Sequence, residues 1–216
     1  MKKSIISIAL SATLATSALV STQASAEVAG IEGLSANVGL TSQYIFRGIA
    51  QTDTASASAG LDYENSGFYA GIWTADVQDG LEIDYYAGYG LELDNGIGLS
   101  IGYTLYAYTG DFDTEYQEVN LGFTYDVLSV SYNKGSREDA AGDQDYDFLS
   151  ATLEKDGFYV TYGTWGDEFE GDYLEFGYGT EIGGFDAGVS IVKSDEDLDL
   201  TGEGDSTIVF NLSKSF

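Results

Sequence analysis

Between Leu81 and Asp94 the chain reads LEIDYYAGYGLELD, and alternate positions fall into two unlike sets. Leu81, Ile83, Tyr85, Ala87, Tyr89, Leu91 and Leu93 are apolar or aromatic, while Glu82, Asp84, Tyr86, Gly88, Gly90, Glu92 and Asp94 carry carboxylates, glycines and one phenol. A helix, with its period of 3.6, mixes these sets around its circumference; a strand puts them on opposite faces. A strand greasy on one side and acidic on the other suits a wall with hydrocarbon outside and water inside, as in a transmembrane β-barrel. A half-wet antiparallel sheet has the same alternation, so what matters is whether the pattern recurs around a closed set of strands.

It does recur. From Leu34 the positions Ala36, Val38, Leu40, Tyr44 and Phe46 alternate with Ser35, Asn37, Gly39, Thr41, Gln43 and Arg47, with Ser42 the one polar residue on the apolar side. That pattern predicts a first strand running to about Arg47, with Tyr44 and Phe46 facing outward, followed by a polar loop from Gly48 to Thr54. Further strands are expected over about 55–63, 68–77, 81–94, 97–108, 117–125, 128–133, 145–154, 158–166, 173–182 and 185–194, with a last one ending at Phe216. The outward side of 68–77 is not assignable, because both of its faces are apolar. The expected count is twelve. Turns after even-numbered strands are short and mostly hold glycine, as in Asn65-Ser66-Gly67, Asn95-Gly96 and Gly183-Gly184, whereas most connections after odd-numbered strands are longer and acidic. This asymmetry is the one outer-membrane barrels show, and a soluble sandwich gives no reason for it.

The first residues, MKKSIISIALSATLATSALVSTQASA, combine Lys2 and Lys3, an apolar run from Ile5 to Val20 and the small-residue site Ala24-Ser25-Ala26. That is the pattern of a secretory signal peptide over 1–26, cleaved to leave one barrel domain over 27–216. The remainder would hold 36 acidic residues against six basic ones, a net charge of −30. Nucleic acid is excluded as a partner by this charge. The 17 tyrosines argue against disorder, and the absence of proline suits a chain made mostly of paired strands. With no cysteine there is no disulfide scaffold; with no histidine, the usual general base and transition-metal ligand are missing. No enzymatic activity, cofactor or metal is expected. A calcium-loop spacing at Asp143, Asp145, Asp147 and Glu154 fails because Phe148 occupies the position that requires glycine. The chain ends on an alternating apolar strand, Ile208, Phe210, Leu212 and Phe216, which resembles the signal read by the outer-membrane assembly machinery.

Three segments resemble the TorF family of porins: Gly39 to Asp53 (GLTSQYIFRGIAQTD), Gly67 to Trp73 (GFYAGIW) and Glu82 to Tyr89 (EIDYYAGY). The first is the most specific. The resemblance implies a Gram-negative outer-membrane β-barrel and a pore, and it implies no catalytic residues.

The candidate pore-lining residues are the inward acids Asp62, Glu82, Asp84, Glu92, Glu118 and Glu175, the inward phenols Tyr86, Tyr106 and Tyr108, and Arg47. Rings of carboxylates favour cations over anions, which points to passive diffusion of small polar or cationic solutes through an acidic lumen. A lone guanidinium among acids is expected to pair with one of them on a neighbouring strand. The inward tyrosines would narrow the pore or close it; in the second case the protein is a structural barrel whose acidic loops tether or adhere. Outer-membrane lipid and lipopolysaccharide are the expected surroundings.

Overall fold

The computed structural model describes residues 30–198 and 204–216; the expected signal peptide lies outside them. Twelve antiparallel strands close into a barrel: β1 (Leu34–Thr41), β4 (Ser56–Asn65), β5 (Phe68–Val77), β6 (Gly80–Glu92), β7 (Ile97–Thr109), β8 (Tyr116–Tyr125), β9 (Leu128–Arg137), β10 (Gln144–Lys155), β11 (Phe158–Asp167), β12 (Asp172–Ile182), β13 (Phe185–Ser194) and β14 (Asp205–Ser215). Each strand pairs with its neighbours in sequence, and β1 closes the ring by pairing with β4 on one side and β14 on the other. Closure removes the sheet edges that a membrane could not hydrate. No described helix is long and apolar enough to cross a membrane, a statement that does not bear on crossing by strands.

The alternation sets the two faces. Leu40, Leu61, Ile101, Leu121, Phe158, Phe176, Ile191 and Phe210 are exposed on the outside, whereas Glu82, Asp84, Thr104, Glu118, Asn133 and Ser190 are buried inside. A wall whose exposed residues are apolar and whose buried residues are polar is inverted relative to a water-soluble barrel and matches one surrounded by lipid. On β5 the inward residues prove to be Tyr69, Gly71, Trp73, Ala75 and Val77, so that strand is apolar on both faces because its inner face meets other aromatic side chains.

Between β1 and β4 the structure departs from the expected first strand. β1 stops at Thr41, and the chain folds back as a small hairpin of β2 (Ile45–Phe46) and β3 (Ile49–Ala50). Ser42 is the point of departure. Its N–H donates to the Phe210 carbonyl at 2.9 Å and its hydroxyl accepts from Phe210 N–H at 2.9 Å, so it ends the pairing of β1 with β14. Tyr44 is then 1% exposed and packs on Trp73, and Phe46 packs against Tyr106 and Trp165. The expectation that Tyr44 and Phe46 face lipid is therefore corrected. Parity along a strand predicts a face only while the strand stays in the wall, and here it leaves the wall at Ser42.

The hairpin turns on Arg47 (φ 48°) and Gly48 (φ 87°), with Phe46 opposite Ile49. Two successive residues at positive φ form the tight turn whose twist matches paired strands. Gly48 is required for a second reason: a Cβ there would lie 2.7 Å from Leu198 Cδ1 and 2.9 Å from Tyr173 Cβ. Two further bonds fasten the base, Gln51 N–H to Tyr44 O at 2.8 Å and Tyr44 N–H to Thr52 Oγ1 at 2.9 Å.

Candidate functional site

The site is the lumen around this hairpin, within the half of the barrel nearer the longer loops. At its tip Arg47 is 4% exposed and makes a two-pronged ion pair with Glu118 of β8, Nη1 to Oε2 at 2.9 Å and Nη2 to Oε1 at 2.8 Å. The guanidinium also lies over the rings of Phe46, Phe148 and Trp165, at 4.8, 4.5 and 5.5 Å. A planar, delocalised cation tolerates this stacking, where an ammonium would lose its water without regaining comparable contacts. Glu118 is fully engaged: Tyr106 donates to Oε1 at 2.7 Å, Asn120 to Oε1 at 2.6 Å and Tyr146 to Oε2 at 3.0 Å. Two bonds hold the backbone of the tip. Trp165 Nε1 donates to Arg47 O at 3.1 Å, and Ser194 Oγ donates to Gly48 O at 2.6 Å.

The flanks are pinned from the other wall. Tyr44 donates to Glu82 Oε1 at 2.6 Å, so Glu82, 1% exposed, is bonded to the hairpin and does not line open water. Asp84, two residues along the same inward face, is fully buried, and neither of its carboxylate oxygens has a hydrogen-bond partner among the described residues. Two aromatic clusters close around the insertion. One holds Tyr146, Phe148, Trp165 and Tyr173, the other Tyr44, Trp73, Ala75 and Val77, and Phe46 packs against both.

The sequence-derived candidates therefore separate into groups. Glu82, Asp84, Tyr106 and Glu118 gather around the hairpin that carries Arg47 at its tip, all five buried. Tyr108 packs on Phe112 and Tyr116 at the rim of the same region. Asp62 lies apart on β4, accepting from Asn37 Nδ2 at 2.9 Å and from the Tyr86 hydroxyl. Glu175 is on the opposite wall, accepting from Tyr159 at 2.7 Å. Glu92 is exposed at the last position of β6. The partner of Arg47 was expected on a neighbouring strand; it lies on β8, 71 residues along the chain. Tyr146, Trp165 and Ser194 were not singled out by the sequence reading, Gly48 was read only as the start of a polar loop, and Tyr44 was placed on the wrong face. Local sequence carries no signal for Tyr146, Trp165 and Ser194, because the last two meet the hairpin 118 and 146 residues along the chain and Tyr146 meets Glu118 from another strand.

A closed antiparallel barrel of twelve strands, apolar outside and with a loop folded into its lumen, has the architecture of a transmembrane β-barrel. The chain belongs to a bacterial family described as "Bacterial protein of unknown function (Gcw_chp)", whose model matches residues 25–216. Among solved structures it is similar to the KdgM porin, with a TM-score of 0.58 and 10% identity over 84% of this chain and 99% of that one. It is also similar to a structure described as "Unveiling the Mechanism Behind the in-meso Crystallization of Membrane Proteins", with a TM-score of 0.62 and 10% identity over 85% of this chain and 83% of that one. At such identities the likeness is one of fold. No curated protein matches in sequence.

Proposed function

We propose that this protein is a porin of the Gram-negative outer membrane, passing small polar or cationic solutes by passive diffusion, with the Arg47 hairpin as its constriction. The observation that carries the reading is the hairpin itself, a loop that leaves the wall at Ser42 and is fastened across the lumen to Glu118. Inward-folded loops narrow a barrel without closing its wall, and the groups lining what remains set selectivity. The sharpest segment of the TorF resemblance, Gly39 to Asp53, contains this insertion, and the finer family name rests on that likeness. The lipid-facing belt fits outer-membrane lipid, with lipopolysaccharide around the acidic loops. No catalytic grouping is part of this reading.

Planar-bilayer recordings test it. The refolded protein should give small, cation-preferring channels, and replacing 43–53 by a short Gly-Ser link should enlarge them. Absence of channels from both proteins, or anion preference at neutral pH, would defeat the proposal. One observation favours the closed structural barrel as a second reading: the aromatic clusters around the hairpin are buried. That reading predicts silence from the natural chain and conductance only after the hairpin is removed.

A further inference from the structure

The interior is unevenly filled. Beneath the hairpin, against the wall formed by β9 to β14, lies a cavity of about 70 Å³ that opens to solvent. That is room for on the order of five water molecules. For a chain of net charge −28 its lining is unexpectedly balanced, because the charged residues on it are Arg47 and Glu175. The charge of Arg47 is spent on Glu118, and Glu175 already accepts from Tyr159.

The rest of the lining is hydroxyl, amide and ring. Ser131 and Ser150 share a hydrogen bond of 2.8 Å, as do Thr152 and Thr161. In each such pair one hydroxyl proton is used and the other remains free to donate, while both oxygens keep lone pairs. The Gln43 side chain, at the start of the hairpin, faces the same space. Phe148 and Tyr173 line it as parallel rings, 6.3 Å between centroids and 7° between planes. Donors and acceptors arrayed on one wall beside flat apolar rings complement a molecule with several hydroxyls on a short carbon chain. A bare cation would find one carboxylate, already bonded, and a guanidinium beside it.

We propose that this cavity is a binding site for a small uncharged polyol, about the size of glycerol or erythritol. The proposal rests on the reading of the barrel as a conduit, which brings the solute to it, and narrows that reading from small polar solutes in general to hydroxylated neutral ones. Hydroxyls of the solute exchange with the free protons of the Ser131–Ser150 and Thr152–Thr161 pairs, and its C–H faces lie on Phe148 and Tyr173.

Saturation-transfer NMR on the refolded barrel in detergent, with glycerol, protonated serinol and glycerate as near-isosteric probes, tests the site. Glycerol should bind at least about fivefold more tightly than either charged probe, and Ser150→Ala combined with Thr161→Val should weaken it by about fivefold or more. Circular dichroism and resistance to unfolding in detergent show whether that variant retains its fold; Gln43→Ala, on the loop side of the cavity, supplies an independent loss of affinity. Preference for serinol, absence of glycerol binding, or undiminished binding in both variants would overturn the proposal. Liposome swelling on the same preparation separates the two readings. Binding without swelling removes the conduit and leaves the site; swelling without binding removes the site and leaves the conduit.

Discussion

Arg47 and Glu118, 71 residues apart, meet in a buried two-pronged ion pair that ties the tip of an inserted hairpin to the far wall of the barrel. Glu118 is the point at which three further donors, Tyr106, Asn120 and Tyr146, converge. The pair thus joins two elements that nothing in the wall itself requires to touch.

Removing one partner should be worse than removing both. Glu118→Leu leaves an uncompensated buried guanidinium and should cost about 3–5 kcal/mol, whereas combining it with Arg47→Leu should recover much of that loss. Denaturant unfolding of the four proteins in a double-mutant cycle measures the difference. The single variant should also show larger or noisier channels in bilayers, because the hairpin loses its anchor.

Gly48→Val should displace the hairpin while leaving the wall intact. The residue sits at positive φ, and the added side chain would run into Leu198 and Tyr173. Backbone alone should cost about 1–2 kcal/mol. The expected result is a barrel that keeps its strand content but becomes cleavable by protease between 42 and 54, read by mass spectrometry of the fragments.

Asp84 predicts the opposite outcome from Glu118. Its buried carboxylate has no hydrogen-bond partner among the described residues, so Asp84→Asn, of nearly the same shape, removes a group that is costly to bury and should be neutral or stabilising by about 1–3 kcal/mol. Equilibrium unfolding of this variant beside Glu118→Gln gives the contrast; a large loss on Asp84→Asn would mean that the carboxylate has a function its surroundings do not reveal.

The outer face supplies a check on the membrane assignment. Leu121, in the middle of β8 and exposed, should lie near the bilayer midplane, so Leu121→Arg should cost about 2–4 kcal/mol when folding is measured into lipid vesicles. By comparison Lys134→Ala, which breaks the exposed pair between β9 and Asp167, the last residue of β11, should change stability by less than about 1 kcal/mol.

Trp165 offers a direct report of the hairpin. Its indole donates to the Arg47 carbonyl and packs on Phe46, so releasing the hairpin should shift its emission to the red. Measured in a Trp73→Phe background, the shift should appear in Glu118→Ala and Gly48→Val and be absent from Lys134→Ala.

Alternation in the sequence was enough to establish the wall. Leu81 to Asp94 can satisfy lipid and lumen only as a strand, and repetition of that pattern with short glycine turns at one end requires closure, since an open edge would leave backbone groups unpaired in hydrocarbon. The same logic failed at Ser42, because a rule of period two carries no information about where a strand stops being wall. Tyr44, Phe46 and Arg47 keep their alternation after the chain has turned inward. Their burial depends on Glu82, Glu118, Trp73 and Trp165, contributed by four other strands, and only closing the barrel brings those side chains within reach of the turn. Local periodicity therefore determined the container, while the contents of the lumen were decided by contacts that exist only once the ring is complete.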